Sequence, residues 1–230
     1  MYNKNENKYH FKMKGVEFMT LYKTILIGLF GSFLMFLGDM TLYYDRNDYS
    51  NKDTMGSIAG IMKNLSIKRL YLGGILGPIG AFIYCIGFYH IVLSCRENYL
   101  TFGWIIFLIN IFGMILGGAY HMQCAYLGLL SRYENNGAFD EFLKFLKFQA
   151  IVVFSIMGLG NIGIATFILG GFTVFPTCQG FLTPIFFALL TPLVRRLPKG
   201  LHMVICGGWL NIIYFIYYLS LLINYTNMNL

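Results

Sequence analysis

Long apolar stretches constrain this chain more than any other feature. They run through most of residues 21–223 and are separated by short polar connections. A helix needs about 20 mostly apolar residues to cross the hydrocarbon core of a bilayer. Of the 230 residues, 57% are hydrophobic and only 12% are charged, whereas soluble domains carry about 25% charged residues. The pattern predicts an all-α membrane helix bundle with about six transmembrane helices.

The chain divides into a polar tail at residues 1–20 and a single transmembrane helical domain at residues 21–225. A chain of this length suits one compact bundle. The fifth apolar stretch is short and contains Pro184 and Pro192, so we expect it to be kinked, short or re-entrant. The predicted spans are 21–44, 70–94, 100–130, 148–174, 181–194 and 201–223.

The Lys and Arg residues predict an orientation in the membrane. Most lie in the connections after spans one, three and five, whereas the connections after spans two and four contribute only Arg96. Because cytoplasmic loops retain cations, we expect a plasma-membrane protein with both termini outside, although four lysines in the tail favour the reverse.

No basic patch with interleaved aromatic residues occurs, so nucleic acid is not an expected partner. The high content of Ile, Phe, Tyr, Asn and Lys favours a bacterial source.

Two GxxxG pairs lie inside apolar spans, at Gly73–Gly77 and Gly113–Gly117. Small residues at this spacing let helix backbones approach closely in lipid. Tight packing within the chain is the simpler interpretation, and a homodimer through these faces is the alternative. The other expected partners are membrane lipids.

Asp39 is the only acidic residue inside any predicted span. A charge at membrane depth costs about 2.5–3.5 kcal/mol on insertion scales, so such a residue usually faces the bundle interior and has a partner. Asp39 lies 18 residues past Leu21, about 27 Å along a helix. It should therefore lie near one membrane face, where hydration is the alternative to pairing.

The direction in which each helix crosses the membrane determines which residues lie at the same depth as Asp39. Adjacent spans run antiparallel, so His121 late in span three, His202 at the start of span six and Arg69 at the start of span two share its leaflet. His90 lies at the opposite face. We therefore predict a polar pocket near one face, for a small or lipidic ligand. Its expected lining residues are Asp39, Tyr43, Arg69, His121 and His202.

Three chemistries fit this group. Asp39 and Arg69 would form a structural ion pair. Alternatively, Asp39 would orient His121 as a general base for water in a membrane-embedded hydrolase. In the third case Asp39, His121 and His202 would hold a zinc ion with an open position for water. Cys124 lies on the same helical face as His121 and would be a fourth zinc ligand in this case. Packing in the helix bundle is the simpler role for this residue. The spacing does not choose among these, so enzymatic activity is left open.

Several short segments carry a resemblance to known families. Gly38-Asp39-Met40, Arg69-Leu70, Gly87-Phe88-Tyr89-His90 and Tyr120-His121 resemble an uncharacterised family of bacterial multi-pass membrane proteins, a domain of unknown function. That resemblance implies no established activity. The Gly38-Asp39 element is also similar to one in lysoplasmalogenase-like membrane hydrolases, which have more spans and a second acidic element that this chain lacks.

The first functional hypothesis is thus a membrane protein of unknown molecular activity with a polar ligand pocket near one face. The alternatives are a hydrolase that uses Asp39 and His121, with or without zinc, and a small transporter. Transporters commonly contain broken helices near the midplane and internal repeats. No internal repeat is evident in this sequence.

Overall fold

The computed structural model describes residues 15–45, 54–133, 136–194 and 196–227, and within the helices it leaves out the side chains of residues 15–18, 54–55, 136, 199–204 and 206. Most of the predicted tail at 1–20 therefore lies outside the described residues. The helices are α1 (Gly15–Tyr43), α2 (Thr54–Asn64), α3 (Ile67–Gly87), α4 (His90–Leu93), α5 (Leu100–Leu130), α6 (Asn136–Leu169), α7 (Pro184–Ala188), α8 (Thr191–Val194) and α9 (Lys199–Asn227).

The predicted helical membrane bundle is confirmed. Five stretches of the described chain are long and apolar enough to cross a membrane, namely Met19–Tyr43, Ile67–Leu93, Glu97–Leu130, Gly137–Leu169 and Gly207–Asn227. The helix of the fourth predicted span, α6, ends at Leu169 and not at the predicted residue 174. It ends there because Gly171 has a φ of 71°. That left-handed conformation suits glycine and ends helices.

The fifth predicted span, 181–194, is not one continuous helix. It begins within the 3-10 helix Thr177–Leu182 and continues as the two short helices α7 and α8. Pro184 begins α7 and Pro192 lies in α8, where each removes a backbone donor. The prolines therefore break this segment, as their positions predict.

The segment from Gln179 to Thr191, which contains most of this broken span, nevertheless lies alongside α9. Near one end, the Gln179 side chain donates to Ser220 Oγ over 2.7 Å and accepts from Asn224. Near the other end, Trp209 Nε1 donates to Thr191 Oγ1 over 3.1 Å. Trp209 and Asn224 are 15 residues apart, about 22 Å along the helix. The segment thus follows α9 over most of the roughly 30 Å of hydrocarbon thickness.

The helices pack in the order α9, α1, α3, α5 and α6. Glycines allow the close approaches. A Cβ added to Gly87 of α3 would lie 2.4 Å from the Cα of Gly28 in α1. Gly73 packs on Leu42, Gly77 on His121, and Gly113 on Met157. Gly73, Gly77 and Gly113 are therefore packed within the chain, and a homodimer through these faces stays a prediction.

The bundle has two ends, which we name after their polar residues. At the Asp39 end, α1 and α5 finish and α3 and α9 begin. At the His90 end, the connection after α4 meets the connection after α6 through an isolated antiparallel bridge between Cys95 and Thr173. The polar side chains discussed below belong to one end or the other.

Candidate functional site

Asp39 is buried inside the helix bundle. The residue is 7% exposed. Its Oδ2 accepts a hydrogen bond of 2.6 Å from Asn211 Nδ2 of α9, and its Oδ1 lies 3.4 Å from His121 Nδ1 of α5. The carboxyl group is thus partnered on both oxygens by side chains from two other helices, as a carboxyl group at membrane depth requires.

His121 is enclosed between α1 and α3. The residue is 3% exposed. A Cβ on Gly77 would lie 2.3 Å from its Cδ2, and a Cβ on Gly38 would lie 3.4 Å from its Nε2. The Nε2 atom lies 3.1 Å from the carbonyl oxygen of Gly73. The three glycines therefore form the slot that receives the imidazole ring.

The partners of His121 fix how many protons the pair carries. A carbonyl oxygen only accepts hydrogen bonds, so Nε2 bears a hydrogen and donates it to Gly73. The facing atoms Nδ1 and Oδ1 then attract each other only if one proton lies between them, on either partner. Imidazolium with carboxylate and imidazole with carboxylic acid are both neutral overall. A proton between Nδ1 and Oδ1 would leave the pair of Asp39 and His121 neutral overall, and a neutral pair costs less to bury than a single charge.

A second hydrogen bond extends this unit into α3. The hydroxyl of Tyr84 donates to Asn211 Oδ1 over 2.9 Å. The Asn211 amide must therefore present its nitrogen to Asp39 and its oxygen to Tyr84, which fixes its orientation. We name Tyr84, Asn211, Asp39 and His121, with the Gly73 carbonyl, the Asp39 network. It joins α1, α3, α5 and α9.

Tyr43 packs against the Asp39 network at His121. Its ring contacts His121 edge to face, with ring centroids 6.0 Å apart at an interplanar angle of 88°. Tyr43 is partly exposed, whereas Cys124, beside Tyr43 and Tyr120, is fully buried.

The ion pair between Asp39 and Arg69, one of the three alternatives, is not formed in the described structure. The Arg69 guanidinium instead donates to the backbone of α1, with Nε 2.9 Å from Thr41 O and Nη2 2.7 Å from Tyr44 O and 3.4 Å from Met40 O. The last carbonyls of a helix have no donor within the helix. Arg69 supplies those donors and thereby fastens the end of α1 to the start of α3.

The zinc hypothesis concerns Asp39, His121 and His202. Among the side chains that the structure describes, no three His, Cys, Asp or Glu residues converge as a metal site would require. The side chain of His202 lies outside the described part of α9. Zinc coordination by this trio therefore stays a prediction.

His90 lies at the opposite end of the bundle from Asp39, as the helix directions predict. Its Nδ1 is 2.8 Å from Gly87 O and its Nε2 is 2.9 Å from the Tyr217 hydroxyl. It takes no part in the Asp39 network.

Sequence reasoning missed the roles of Asn211, Tyr84 and the Gly77 slot. The sequence did carry a signal for Asn211, since amides inside spans commonly bond between helices. Nothing in the sequence paired it with Asp39, because the two residues are 172 positions apart. The GxxxG pattern indicated close packing at Gly73 and Gly77 but not that the packed group is an imidazole.

Comparisons with known proteins identify a family for the chain but no activity. No curated protein and no solved structure matches the chain. One family matches residues 3–228, which is nearly the whole sequence, and it is described as a family of unknown function (DUF6796). The chain belongs to this family of unknown function.

Proposed function

We propose that this protein binds a small or lipidic molecule at the Asp39 end, within the plasma membrane, and that the proton shared by Asp39 and His121 responds to that binding. The observation that carries the proposal is the buried pair itself, with Oδ1 3.4 Å from Nδ1. Ionisable residues inside membrane spans commonly mark ligand pathways or proton relays. The network also connects four helices, so a change in its proton content would alter their packing.

Tyr43 provides the route from ligand to proton in this proposal. Its ring contacts His121, and it is the partly exposed neighbour of the buried network. A lipidic molecule that displaced or stacked on Tyr43 would change the surroundings of the imidazole directly. Arg69 holds the end of α1 beside it, which keeps Tyr43 in place.

The geometry does not favour the hydrolase. A general base needs a free ring nitrogen within reach of its water. Both nitrogens of His121 already face protein atoms, namely the Gly73 carbonyl at 3.1 Å and Asp39 at 3.4 Å. The ring would have to leave its slot between Gly77 and Gly38 before it could activate a water molecule.

A proton-coupled transporter is the second candidate function, and the broken segment beside α9 favours it. Transporters use discontinuous spans near their binding sites. The transporter hypothesis predicts that dye-loaded liposomes of phosphatidylethanolamine and phosphatidylglycerol report proton movement that depends on an added small-molecule substrate. It also predicts that Asp39→Asn abolishes this movement. Flux that persists unchanged in Asp39→Asn contradicts a coupling role for the pair.

Native mass spectrometry of the protein released from membranes tests the binding proposal. We expect a co-purified small or lipidic molecule on the wild type, and at least a tenfold lower occupancy in Tyr43→Ala. The matched control is Tyr126→Ala, since Tyr126 is an exposed tyrosine on α5, five positions beyond His121, and should leave occupancy unchanged. A wild type without any adduct, or equal occupancy in Tyr43→Ala, contradicts the proposal.

A further inference from the structure

The His90 end contains a second buried polar group. His90 is 1% exposed, and its Nδ1 faces the carbonyl of Gly87 at 2.8 Å. Nδ1 therefore carries a hydrogen, because a carbonyl only accepts. In the neutral ring Nε2 then accepts, and the Tyr217 hydroxyl donates to it over 2.9 Å. The phenol oxygen of Tyr217 keeps its lone pairs for another donor.

A small cavity lies beside this pair. Its polar walls are His90, Ser94, Thr173 and Tyr217, and apolar residues such as Phe167 and Ile168 complete the lining. Thr173 is 2% exposed, and its hydroxyl has no hydrogen-bond partner among protein atoms. A buried hydroxyl without a partner is costly. Ser94 donates to Ile91 O over 3.2 Å, so its oxygen can still accept.

Hydrogen bonds on both sides of Thr173 hold its backbone beside the cavity. Val174 N donates to Ser94 O over 2.8 Å, and Arg96 N donates to Phe172 O over 3.0 Å. Residues 94–96 and 172–174 are thus paired on both sides of the bridge between Cys95 and Thr173. Because both neighbours of Thr173 are fixed, this residue cannot turn out to solvent without breaking the pairing.

We propose that the cavity binds one ordered water molecule that links Thr173 to Tyr217 and, through Tyr217, to His90. The water would accept from the Thr173 hydroxyl and donate to the oxygens of Tyr217 and Ser94. This gives three hydrogen bonds, the usual number for a buried water, in a space that suits about one molecule. The site lies at the opposite end from the Asp39 network and does not depend on the function proposed there.

The bound water gives His90 a hydrogen-bonded connection to the loop at this face. The chain runs from His90 through the Tyr217 hydroxyl and the water to Thr173. Each link can both donate and accept, so the chain can reverse its direction when His90 exchanges a proton. The water also fastens the connection after α6 to α9, in addition to the contact between Gln179 and Ser220.

The direction in which the melting temperature (Tm) changes when the Thr173 hydroxyl is removed tests this proposal. Thr173→Val removes the hydroxyl at nearly constant shape. If the water is bound, the variant loses a hydrogen bond and the Tm in detergent falls, by about 2–4 °C for a chain of this size. If the hydroxyl has no partner, removing it relieves a buried polar group and the Tm rises. A rise overturns the proposal.

Two further variants calibrate the measurement. Thr173→Ser keeps the hydroxyl and should keep the water. Thr183→Val loses a hydrogen bond of 2.6 Å to Gly180 O and shows how far the Tm falls when one buried hydrogen bond is lost.

Infrared difference spectra in water labelled with heavy oxygen provide the direct readout of the bound water. A shifted O–H band should appear in wild type and Thr173→Ser and disappear in Thr173→Val. A band that is absent from the wild type, or unchanged in Thr173→Val, contradicts the assignment.

Discussion

Replacing Gly77 by alanine should dislodge His121. The added Cβ would lie 2.3 Å from His121 Cδ2 and 2.5 Å from Cγ, whereas carbon atoms in contact are separated by about 3.5–4.0 Å. The ring or the α3–α5 spacing must therefore yield by about 1 Å. Overpacking of this kind costs about 1–3 kcal/mol. Alanine in a helix recovers about 1 kcal/mol relative to glycine, so the net effect is destabilising by up to about 2 kcal/mol.

The assay is unfolding of the purified protein in detergent, with Gly158→Ala as the matched control. Gly158 also lies in a membrane helix, but its added Cβ would meet nothing within 4 Å. The control should therefore be as stable as the wild type or more stable, because it gains helix propensity without a clash. If Gly77→Ala were as stable as Gly158→Ala, His121 could not occupy the slot beside Gly77.

Three other predictions concern the remaining contacts. Arg69→Met should lower the free energy of unfolding by about 1–3 kcal/mol, measured in the same assay, because the last carbonyls of α1 lose their charged donor. Asp39→Asn and His121→Gln should show a coupling energy of about 0.6–1.7 kcal/mol in a double-mutant cycle, the range found between membrane helices. Cys178, which is exposed at the His90 end, should react on intact cells with a membrane-impermeant maleimide if that end is outside.

Each of these has its own control. Lys68 is the exposed neighbour of Arg69, and Lys68→Met should change stability little; equal losses from both variants would refute the capping role. Additive effects in the double-mutant cycle would mean that Asp39 and His121 do not interact. Cys178→Ser should abolish the labelling, and labelling that requires permeabilised cells would reverse the predicted orientation. Buried Cys95 should stay unlabelled, because burial raises the pKa of its thiol to about 11 and little reactive thiolate forms.

The sequence was sufficient to predict the helix bundle and the end of the bundle at which Asp39, His121 and His90 each lie. Helix direction and a rise of 1.5 Å per residue placed Asp39 and His121 at one depth and His90 at the other. Depth alone does not specify rotation about the helix axis. From depth alone, Arg69 was an available partner for the Asp39 carboxylate, whereas in the structure its guanidinium donates to the carbonyls of Thr41 and Tyr44.

The parts that could not be predicted depend on long-range packing. The network needs Asn211 on α9 and Tyr84 on α3 to meet at 2.9 Å, and no local pattern records that meeting. The break in the fifth predicted span, in contrast, could be predicted from the sequence, because Pro184 and Pro192 lie within that span. Its contact with α9 at Trp209 follows only from the packed structure.

Nitrogen NMR of isotopically labelled histidine in reconstituted protein tests the central claim most directly, with the His121 signal assigned by its loss in His121→Gln. Because Nε2 faces the Gly73 carbonyl, His121 should always carry a proton on Nε2, either as imidazolium or as the neutral Nε2–H tautomer. The signal should shift in Asp39→Asn, because the group facing Nδ1 changes. A neutral His121 with its proton on Nδ1 and a bare Nε2 would contradict the proton-sharing pair.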